Sequence, residues 1–244
     1  MNKFLSVSYG VISYLLFFAV FLYLIAFVGD LFVAKSVSSG VAQDFLPALI
    51  INTLLILIFV IQHTVMAREP FKQWLTQYLP AQLERSTYML ATSVALAVIF
   101  CYWQPVSGMV WQFTNPALVT LFYILFAIGW VIVLIATFLT NHFDLFGLRQ
   151  IYLHAIDKPY TSLDFTNVWF YQYLRHPMML GLLIAFWSTP VMTLSHLLFS
   201  LGMTIYIFIG IHFEEKDLVE QLGEDYIQYQ KNTSMLFPCK CSKH

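Results

Sequence analysis

The chain has 244 residues, of which 59% are hydrophobic and only 10% are charged. Its apolar residues come in long unbroken blocks, which excludes an ordinary soluble domain and indicates an integral membrane protein. The formal net charge of -1 argues against a nucleic-acid-binding surface, so no nucleic acid is expected as a partner.

Four apolar blocks are long enough to cross a bilayer as helices, because a hydrocarbon core of ~30 Å requires about 20 helical residues. They cover residues 9–29, 46–64, 87–104 and 117–139. We therefore expect residues 1–140 to form four transmembrane helices. The first block is longer than the apolar core of a signal peptide and lacks a cleavage site, so we expect it to remain in the protein.

A fifth apolar region, residues 178–212, is too long for one helix and contains Pro190. Residues 178–190 would rise only ~20 Å as a helix, whereas residues 194–212 are long enough to cross. The pattern predicts a helical hairpin that turns at Ser188-Thr189-Pro190. It leaves open whether the first arm spans the membrane.

Helical spacing continues beyond the apolar region. It runs through Leu218, Leu222, Tyr226 and Tyr229, which predicts an amphipathic cytoplasmic helix or helix pair. Such a segment, residues 214–238, can fold its aromatic face back as a lid. The predicted fold is therefore all-α, with five to six transmembrane helices, a final hairpin and a C-terminal amphipathic helix in one membrane domain, residues 1–244.

The basic residues predict the orientation. If the N-terminus is cytoplasmic, only Lys35 of the 12 lysines and arginines falls outside, in agreement with the positive-inside rule. We expect both termini to be cytoplasmic and the protein to lie in a bacterial inner membrane.

The three cysteines do not predict a metal site. Cys101 lies in an apolar helix, where a packing role is favoured. Cys239 and Cys241 form a C-x-C pair, but no further cysteine or close histidine completes a four-ligand site.

Polar and charged residues gather at the predicted cytoplasmic ends of the helices. They form the clusters "QHTVMAREP" (62–70), "LERSTY" (83–88), "NHFDLFGLRQ" (141–150), "YLRHPMM" (173–179) and "IHFEEKD" (211–217). Such groups are costly near hydrocarbon and tend to face a cavity or one another. One polar pocket at the cytoplasmic face is the simplest interpretation.

Arg175-His176-Pro177 has two compatible interpretations. Proline is favoured at the first position of a helix, so the tripeptide predicts a helix start. A helix N-terminus is also an anion site, and an adjacent arginine can bind a carboxylate through two hydrogen bonds.

The C-terminal motifs resemble the isoprenylcysteine carboxyl methyltransferase superfamily. "LRHPMMLGLLIAFW" is followed by "FEEKDLVEQLGEDYIQYQ" and a closing "LFP". These strings resemble the superfamily's Arg-His-Pro, its Glu-Glu pair, its Gly-x-x-Tyr-x-x-Tyr and its late proline, which bind S-adenosylmethionine together. The proline here is Pro238, and the glycine is Gly223.

The upstream motifs resemble a narrower family. "QHTVMAREPFKQW", "LERSTYML", "TFLTNHFDLFGLRQ" and "FWSTPVMTLSHLLF" are similar to the methanethiol S-methyltransferase branch, which is related to the nurim family. The likeness runs from Gln62 to Pro238. It implies methylation of methanethiol to dimethyl sulfide with S-adenosylmethionine, and it makes residues 141–244 the cofactor-binding half.

The resemblance also implies the residues that bind the cofactor. Arg175 and His176 would hold its amino-acid end, with Pro177 shaping the turn, and Glu214 and Glu215 would meet its hydroxyls or ammonium. Tyr226 and Tyr229 would cover it. The remaining members of the predicted cofactor set are Tyr173 and Gln150. The superfamily often has a tyrosine two residues after the proline, where this chain has Met179.

The residues that bind and activate the thiol substrate are inferred from their placement at the cytoplasmic ends of the helices. An alkyl thiol is mostly protonated at neutral pH, so a proton acceptor is needed. We predict that His142 is this acceptor and that Asp144 orients it. Arg85 completes the predicted catalytic set and lines the thiol pocket with Ser86, Tyr88 and Trp187.

Three alternatives stay open. The first is a related methyltransferase that acts on a larger lipidic or prenylated thiol or carboxylate. The second is a non-enzymatic nurim-like membrane protein, and the third is a haem protein that uses His63, His142 or His212. Beyond a small thiol and the lipid bilayer, no obligate protein partner is inferred.

Overall fold

The computed structural model describes residues 2–161 and 168–237. The described elements are α1 (Lys3–Gly29), α2 (Phe45–Ala67), α3 (Glu69–Leu75), α4 (Glu84–Tyr102), β1 (Met109–Gln112), α5 (Pro116–Leu139), α6 (His142–Leu145), α7 (Leu148–Ala155), α8 (Pro177–Trp187), β2 (Val191–Thr193), α9 (Leu194–Leu222) and α10 (Glu224–Asn232). Short 3-10 helices occupy Ala81–Leu83 and Trp169–Gln172. The two short strands pair with each other.

Five of the described helices are long and apolar enough to cross a membrane. They are α1, α2, α4 with its preceding 3-10 turn, α5 and α9. Helix α8 is apolar but shorter. The predicted all-α integral membrane fold is therefore confirmed.

The last long helix extends further than the sequence indicated. We expected it to end at His212, but α9 continues through the acidic pair to Leu222. The residues after His212 are mostly good helix formers, so charge alone does not end the helix. Gly223 ends the helix, because its φ of 60° lies in the left-handed region that glycine adopts easily. Pro238, Cys239 and Cys241 lie outside the described residues.

The chain divides into two compact units. The described part of the first comprises residues 2–110, 141–161 and 193–199, and that of the second comprises residues 111–140, 168–192 and 200–237.

Aromatic packing and a polar bridge hold the first unit together. Phe27, Trp103 and Phe199 are fully buried, with ring centroids 5.6 to 6.5 Å apart. Buried Asn52 in α2 exchanges two 2.8 Å hydrogen bonds with the backbone of Gln104. An amide in an apolar helix is costly without partners, and these two bonds satisfy it.

Helix α1 is attached to the rest of the first unit through two adjacent residues. The Tyr9 hydroxyl lies 2.9 Å from the Thr87 hydroxyl in α4. One residue later, Gly10 packs so closely on Ile151 of α7 that an added Cβ would lie 2.5 Å from the isoleucine side chain. Both contacts fix the height and rotation of α1.

In the second unit, α5 and α8 are in contact through glycines. A Cβ added at Gly129 would lie 2.7 Å from the carbonyl of Gly181, and a Cβ at Gly181 would lie 2.7 Å from the carbonyl of Gly129. Small residues permit this close approach of two backbones, as is common between membrane helices.

The segment that contains α8 lies along the whole length of α5. At one end the Phe113 amide donates to the Pro190 carbonyl at 3.0 Å. At the other end the side chains of Thr140 and Tyr171 are hydrogen-bonded. Eleven helical residues rise only ~16 Å, so α8 alone is short. With its flanking residues, however, it matches a helix that can cross the bilayer.

Two hydrogen bonds connect the end of α8 to α9. The Ser200 hydroxyl donates to the Phe186 carbonyl at 2.7 Å, and the Trp187 indole N–H donates to the Thr204 hydroxyl at 3.0 Å. Both satisfy groups that would otherwise be unpaired in apolar surroundings.

The glycine contact generates a stability prediction. Gly181→Ala places a methyl group 2.7 Å from a backbone carbonyl, so α5 and α8 must move apart. The overpacking cost of ~1–3 kcal/mol exceeds the ~0.5–1 kcal/mol that alanine gains in a helix. We expect a lower apparent Tm in detergent. The control is Gly210→Ala in α9, where no heavy atom lies within 4 Å of the added Cβ. Equal Tm values for the two variants would contradict the packing account.

Candidate functional site

Arg175 joins three segments of the second unit. Its Nε donates to Glu215 Oε1 of α9 at 2.6 Å. Its Nη1 donates to the carbonyls of Gln230 at 2.9 Å and Thr233 at 2.6 Å, where α10 ends. The arginine therefore connects the residues before α8 with both C-terminal helices.

His176 lies between Glu214 and Glu215, the two glutamates that the resemblance assigns to the same cofactor. The side chain is buried, with Nε2 3.0 Å from Glu215 Oε1 and Nδ1 3.5 Å from Glu214 Oε2. Burial alone lowers the pKa of His176, but hydrogen bonds and negative charge, first from Glu214 and then from Glu215, outweigh it and raise this pKa above its ordinary value. We call Arg175, His176, Glu214 and Glu215 the Arg175 clamp.

Backbone pairing completes the clamp. The Arg175 amide donates to the Ser234 carbonyl at 2.8 Å, and the His176 amide donates to the Met235 carbonyl at 3.1 Å. Helix α8 then begins at Pro177, as the sequence predicts. The amides that precede this helix are thus satisfied by the C-terminal segment.

The two tyrosines that are predicted to cover the cofactor are buried. Tyr226 and Tyr229 have ring centroids 5.7 Å apart, and the Tyr229 hydroxyl donates to the Tyr171 carbonyl. Burial raises the pKa of Tyr229 to about 12, so its phenol is neutral at physiological pH. Tyr173, in contrast, is 67% exposed and is not brought into this group.

Two side chains of the Arg175 clamp have polar groups that can still bind a ligand. Among the described residues, the Nη2 of Arg175 has no hydrogen-bond partner. The Glu214 side chain is 50% exposed, and its contact is with His176. These groups suit a molecule that carries a carboxylate together with an ammonium or hydroxyl groups.

The predicted proton acceptor lies in the first unit, on a short turn after α5. Asn141 adopts the left-handed conformation at φ of 75°, and its side chain caps α6 by accepting from the Asp144 amide at 3.1 Å. The buried ring of His142 then packs edge-on against Phe146, and its Nε2 lies 2.9 Å from the Tyr14 hydroxyl of α1. Burial lowers the pKa of His142.

Asp144 has other hydrogen-bond partners than His142. Its carboxylate is 2.9 Å from Arg149 Nη1, and it accepts from Gln150 at 3.4 Å and from Tyr160 at 3.3 Å. The orienting role of Asp144 therefore stays a prediction, and the hydrogen-bond partner of His142 Nε2 is the Tyr14 hydroxyl. Gln150 lies in the first unit, whereas the other predicted cofactor residues are in the second.

Arg85 is attached to the turn that carries His142. Its Nε donates to the Leu145 carbonyl at 2.7 Å, and its guanidinium lies 5.0 Å from the ring centre of Tyr88. No described residue accepts a hydrogen bond from its Nη groups. The structure thus brings the guanidinium of Arg85, on α4, to the turn that carries His142.

The predicted substrate residues are in different surroundings. Ser86 is fully buried and its hydroxyl lacks a hydrogen-bond partner among the described residues, while Gly147 of the His142 turn packs against it. The Tyr88 hydroxyl is 2.9 Å from the His63 ring, so it is bound to α2. Trp187 lies at the opposite end of α8 from His176.

Two contacts at these sites were not foreseen from the sequence. Tyr14 is one aromatic residue among many in α1, although a phenol in an apolar helix generally requires a partner. The contacts with the carbonyls of residues 230–235 could not be foreseen, because every residue has a carbonyl and nothing in the sequence marks these.

Among the described residues, no group of three or more His, Cys, Asp or Glu side chains is arranged to hold a metal ion. Met179 is half-buried in the first turn of α8.

Comparisons with known proteins support the resemblance seen in the motifs. Residues 51–237 match the family model described as NnrU protein. A methanethiol S-methyltransferase of Mycobacterium tuberculosis is 44% identical and covers 98% of both chains. One of Crocosphaera subtropica is 47% identical over 97% of this chain and 94% of its own.

A more distant relative also matches the chain. Nurim of Bos taurus is 29% identical over 72% of this chain and 70% of its own. No solved structure matches. Because most of this chain matches the NnrU model and its full-length relatives are more than 40% identical, the chain belongs to the NnrU family, in the branch of the methanethiol S-methyltransferases.

Proposed function

We propose that this membrane protein transfers a methyl group from S-adenosylmethionine to methanethiol and forms dimethyl sulfide. The observation that carries the proposal is the Arg175 clamp, found in a chain whose full-length relatives are named methanethiol S-methyltransferase. The clamp supplies the donor set for the methyl donor, and the His142 turn supplies the groups that a thiol requires.

The described residues fit S-adenosylmethionine by the chemistry of their donors. The Nη2 of Arg175 suits its carboxylate, and the half-exposed Glu214 suits its ammonium or ribose hydroxyls. When bound, S-adenosylmethionine supplies a methyl carbon on a positively charged sulfur, from which a thiolate can displace a neutral thioether.

The clamp prepares the binding groups before the ligand arrives. Glu215 and two backbone carbonyls already fix the guanidinium of Arg175, so few rotamers remain to be lost on binding. Such preorganisation lowers the entropic cost of association.

His142 removes the thiol proton. Because burial lowers its pKa, the imidazole is neutral at physiological pH and can accept a proton. The S–H bond breaks and the proton moves to Nδ1, the ring nitrogen other than the one bonded to Tyr14. The electron pair stays on sulfur, and this thiolate is the nucleophile.

Arg85 and Ser86 stabilise the thiolate. The Nη groups of Arg85 supply N–H donors next to the His142 turn, and the buried Ser86 hydroxyl supplies another. A dry setting favours the reaction further, because a thiolate and a sulfonium neutralise each other on the way to the transition state. A small apolar thiol can arrive through the lipid.

The proposal includes the orientation of the chain. The lysine and arginine bias favours cytoplasmic termini in a bacterial inner membrane. An odd number of crossings would place the termini on opposite sides. Residues 171–190 lie along α5, and if they are counted as a sixth crossing beside the five long helices, both termini lie on the same side.

The first prediction concerns the proton acceptor. His142→Ala should lower the rate of dimethyl sulfide formation by about 100-fold or more at pH 7, the usual contribution of a general base. The deficit should shrink at higher pH, where methanethiol ionises unaided. Headspace gas chromatography measures the product. The matched control is His154→Ala on α7, whose ring contacts Gln82 at 3.4 Å. Full turnover by His142→Ala at pH 7 would exclude this base.

The second prediction concerns the methyl-donor site. Glu214→Ala should weaken the binding of S-adenosylhomocysteine by about 10-fold or more, because a hydrogen bond to a charged group contributes ~1.5–3 kcal/mol. Calorimetric titration in detergent measures the affinity. Glu220→Ala removes an exposed glutamate from the same helix and should have no effect. An unchanged affinity in Glu214→Ala would remove this residue from the site.

The third prediction concerns the charge of His176. A raised folded pKa means that protonated His176 stabilises the fold fully below its ordinary pKa of ~6.5 and loses this contribution as pH rises through the folded value. The apparent Tm of His176→Gln should therefore lie furthest below that of the unmodified protein near pH 6, and the gap should narrow at alkaline pH. His212→Gln, an exposed histidine on α9, is the control. A gap that widens with pH would reverse the assignment.

A further inference from the structure

The hydrogen bond between Tyr14 and His142 joins residues that are 128 positions apart. The Tyr14 hydroxyl, on α1, lies 2.9 Å from His142 Nε2. We propose that Tyr14 is a positioning residue, which holds the His142 imidazole in the orientation and tautomer that accept the thiol proton. This inference rests on the proposed function, in which His142 is the base.

Contacts along α1 fix where the Tyr14 hydroxyl lies. One helical turn earlier, Gly10 packs directly on Ile151 of α7, and Tyr9 is hydrogen-bonded to Thr87 of α4. Tyr14 itself is half-buried. Since α1 can neither slide nor rotate without breaking these contacts, the phenol meets the His142 turn at a set height.

The ring of His142 is also held from two sides. Its edge-on contact with Phe146 has a centroid distance of 4.6 Å, and the Tyr14 ring meets it edge-on at 5.9 Å. Phe146 packs in turn on Phe17 of α1, with centroids 4.5 Å apart. Helix α1 therefore determines the plane of the imidazole as well as the partner of one of its nitrogens.

The hydrogen bond determines which nitrogen can act as the base. In a neutral imidazole one nitrogen carries the proton and the other carries the lone pair. If Nε2–H donates to the phenol oxygen, the lone pair is on Nδ1, which then takes the thiol proton. A phenol oxygen also accepts from the imidazolium, so the same bond persists after the transfer.

Other charged groups near His142 have partners of their own. Asp144 is engaged by Arg149, and Arg85 of α4 donates to the carbonyl of Leu145. Burial disfavours an imidazolium, and a hydroxyl that accepts from Nε2 opposes that effect. Tyr14 provides such an acceptor from α1.

The family model begins at residue 51, so it does not include α1. The full-length relatives do cover this region. If Tyr14 positions the base, α1 is part of the catalytic apparatus and not only a membrane anchor.

The test compares two tyrosines of the same helix. Tyr14→Phe removes the hydroxyl at His142, and Tyr23→Phe removes the one that donates to the Lys35 carbonyl. Tyr14→Phe should lower kcat for methanethiol by about tenfold with little change in KM, the effect of about one hydrogen bond. It should also move the rising limb of the pH–kcat profile to lower pH, because the imidazolium loses an acceptor. Tyr23→Phe should change neither.

A double-mutant cycle separates positioning from packing. In a His142→Ala background, Tyr14→Phe should have no further effect, since its role acts through the imidazole. An equal loss in both backgrounds, or an unchanged kcat and profile in Tyr14→Phe, would overturn the inference.

A spectroscopic readout keeps the inference testable if the proposed base is wrong. If His142→Ala retains full activity, the base assignment fails, and nitrogen NMR of histidine-labelled protein then decides the contact. A changed His142 tautomer signal and titration in Tyr14→Phe, but not in Tyr23→Phe, would support positioning of the ring by Tyr14. Identical His142 signals in both variants would overturn it.

Discussion

The structure of the second unit depends on the ion pair between Arg175 and Glu215. Its atoms are 2.6 Å apart and both side chains are largely buried. Removing two charges from water is expensive unless the remaining donors and acceptors are satisfied. Here two carbonyls satisfy the arginine, while His176 and Gln230 contact the carboxylate. The pair thereby fixes the entry to α8, the acidic part of α9 and the end of α10 relative to one another.

In the first unit, too, buried polar groups need hydrogen-bond partners, although the groups concerned are uncharged. Its apolar helices carry polar side chains, and most of them have a specific partner, such as Asn52 with Gln104 or Tyr14 with His142. Ser86 is an exception, because its buried hydroxyl has no partner among the described residues, and we propose that it serves the thiol site. A polar group without a partner in a dry site is available to a ligand.

Much of the fold and part of the site could be predicted from the sequence. The lengths of the apolar blocks were sufficient to predict the long helices, and the start of α8 at Pro177 followed from the missing N–H of proline. The end of α9 could not be predicted from charge, because Glu214 and Glu215 are as compatible with a helix as with a loop. The order of motifs predicted that Arg175 and Glu215 serve one cofactor site, but it predicted neither their direct ion pair nor the bonds of Arg175 to backbone carbonyls, which have no sequence signature. The Tyr14 contact depends on how α1 packs, which local sequence does not encode.

Transfer of an isotopically labelled methyl group tests the central claim most directly. The purified protein in lipid nanodiscs is supplied with methanethiol and with S-adenosylmethionine whose sulfonium methyl group is deuterated. The account predicts that trideuterated dimethyl sulfide appears in the headspace and that its formation depends on protein concentration. Unlabelled product, or label found only in a larger thiol or a lipid while methanethiol stays unchanged, would contradict it.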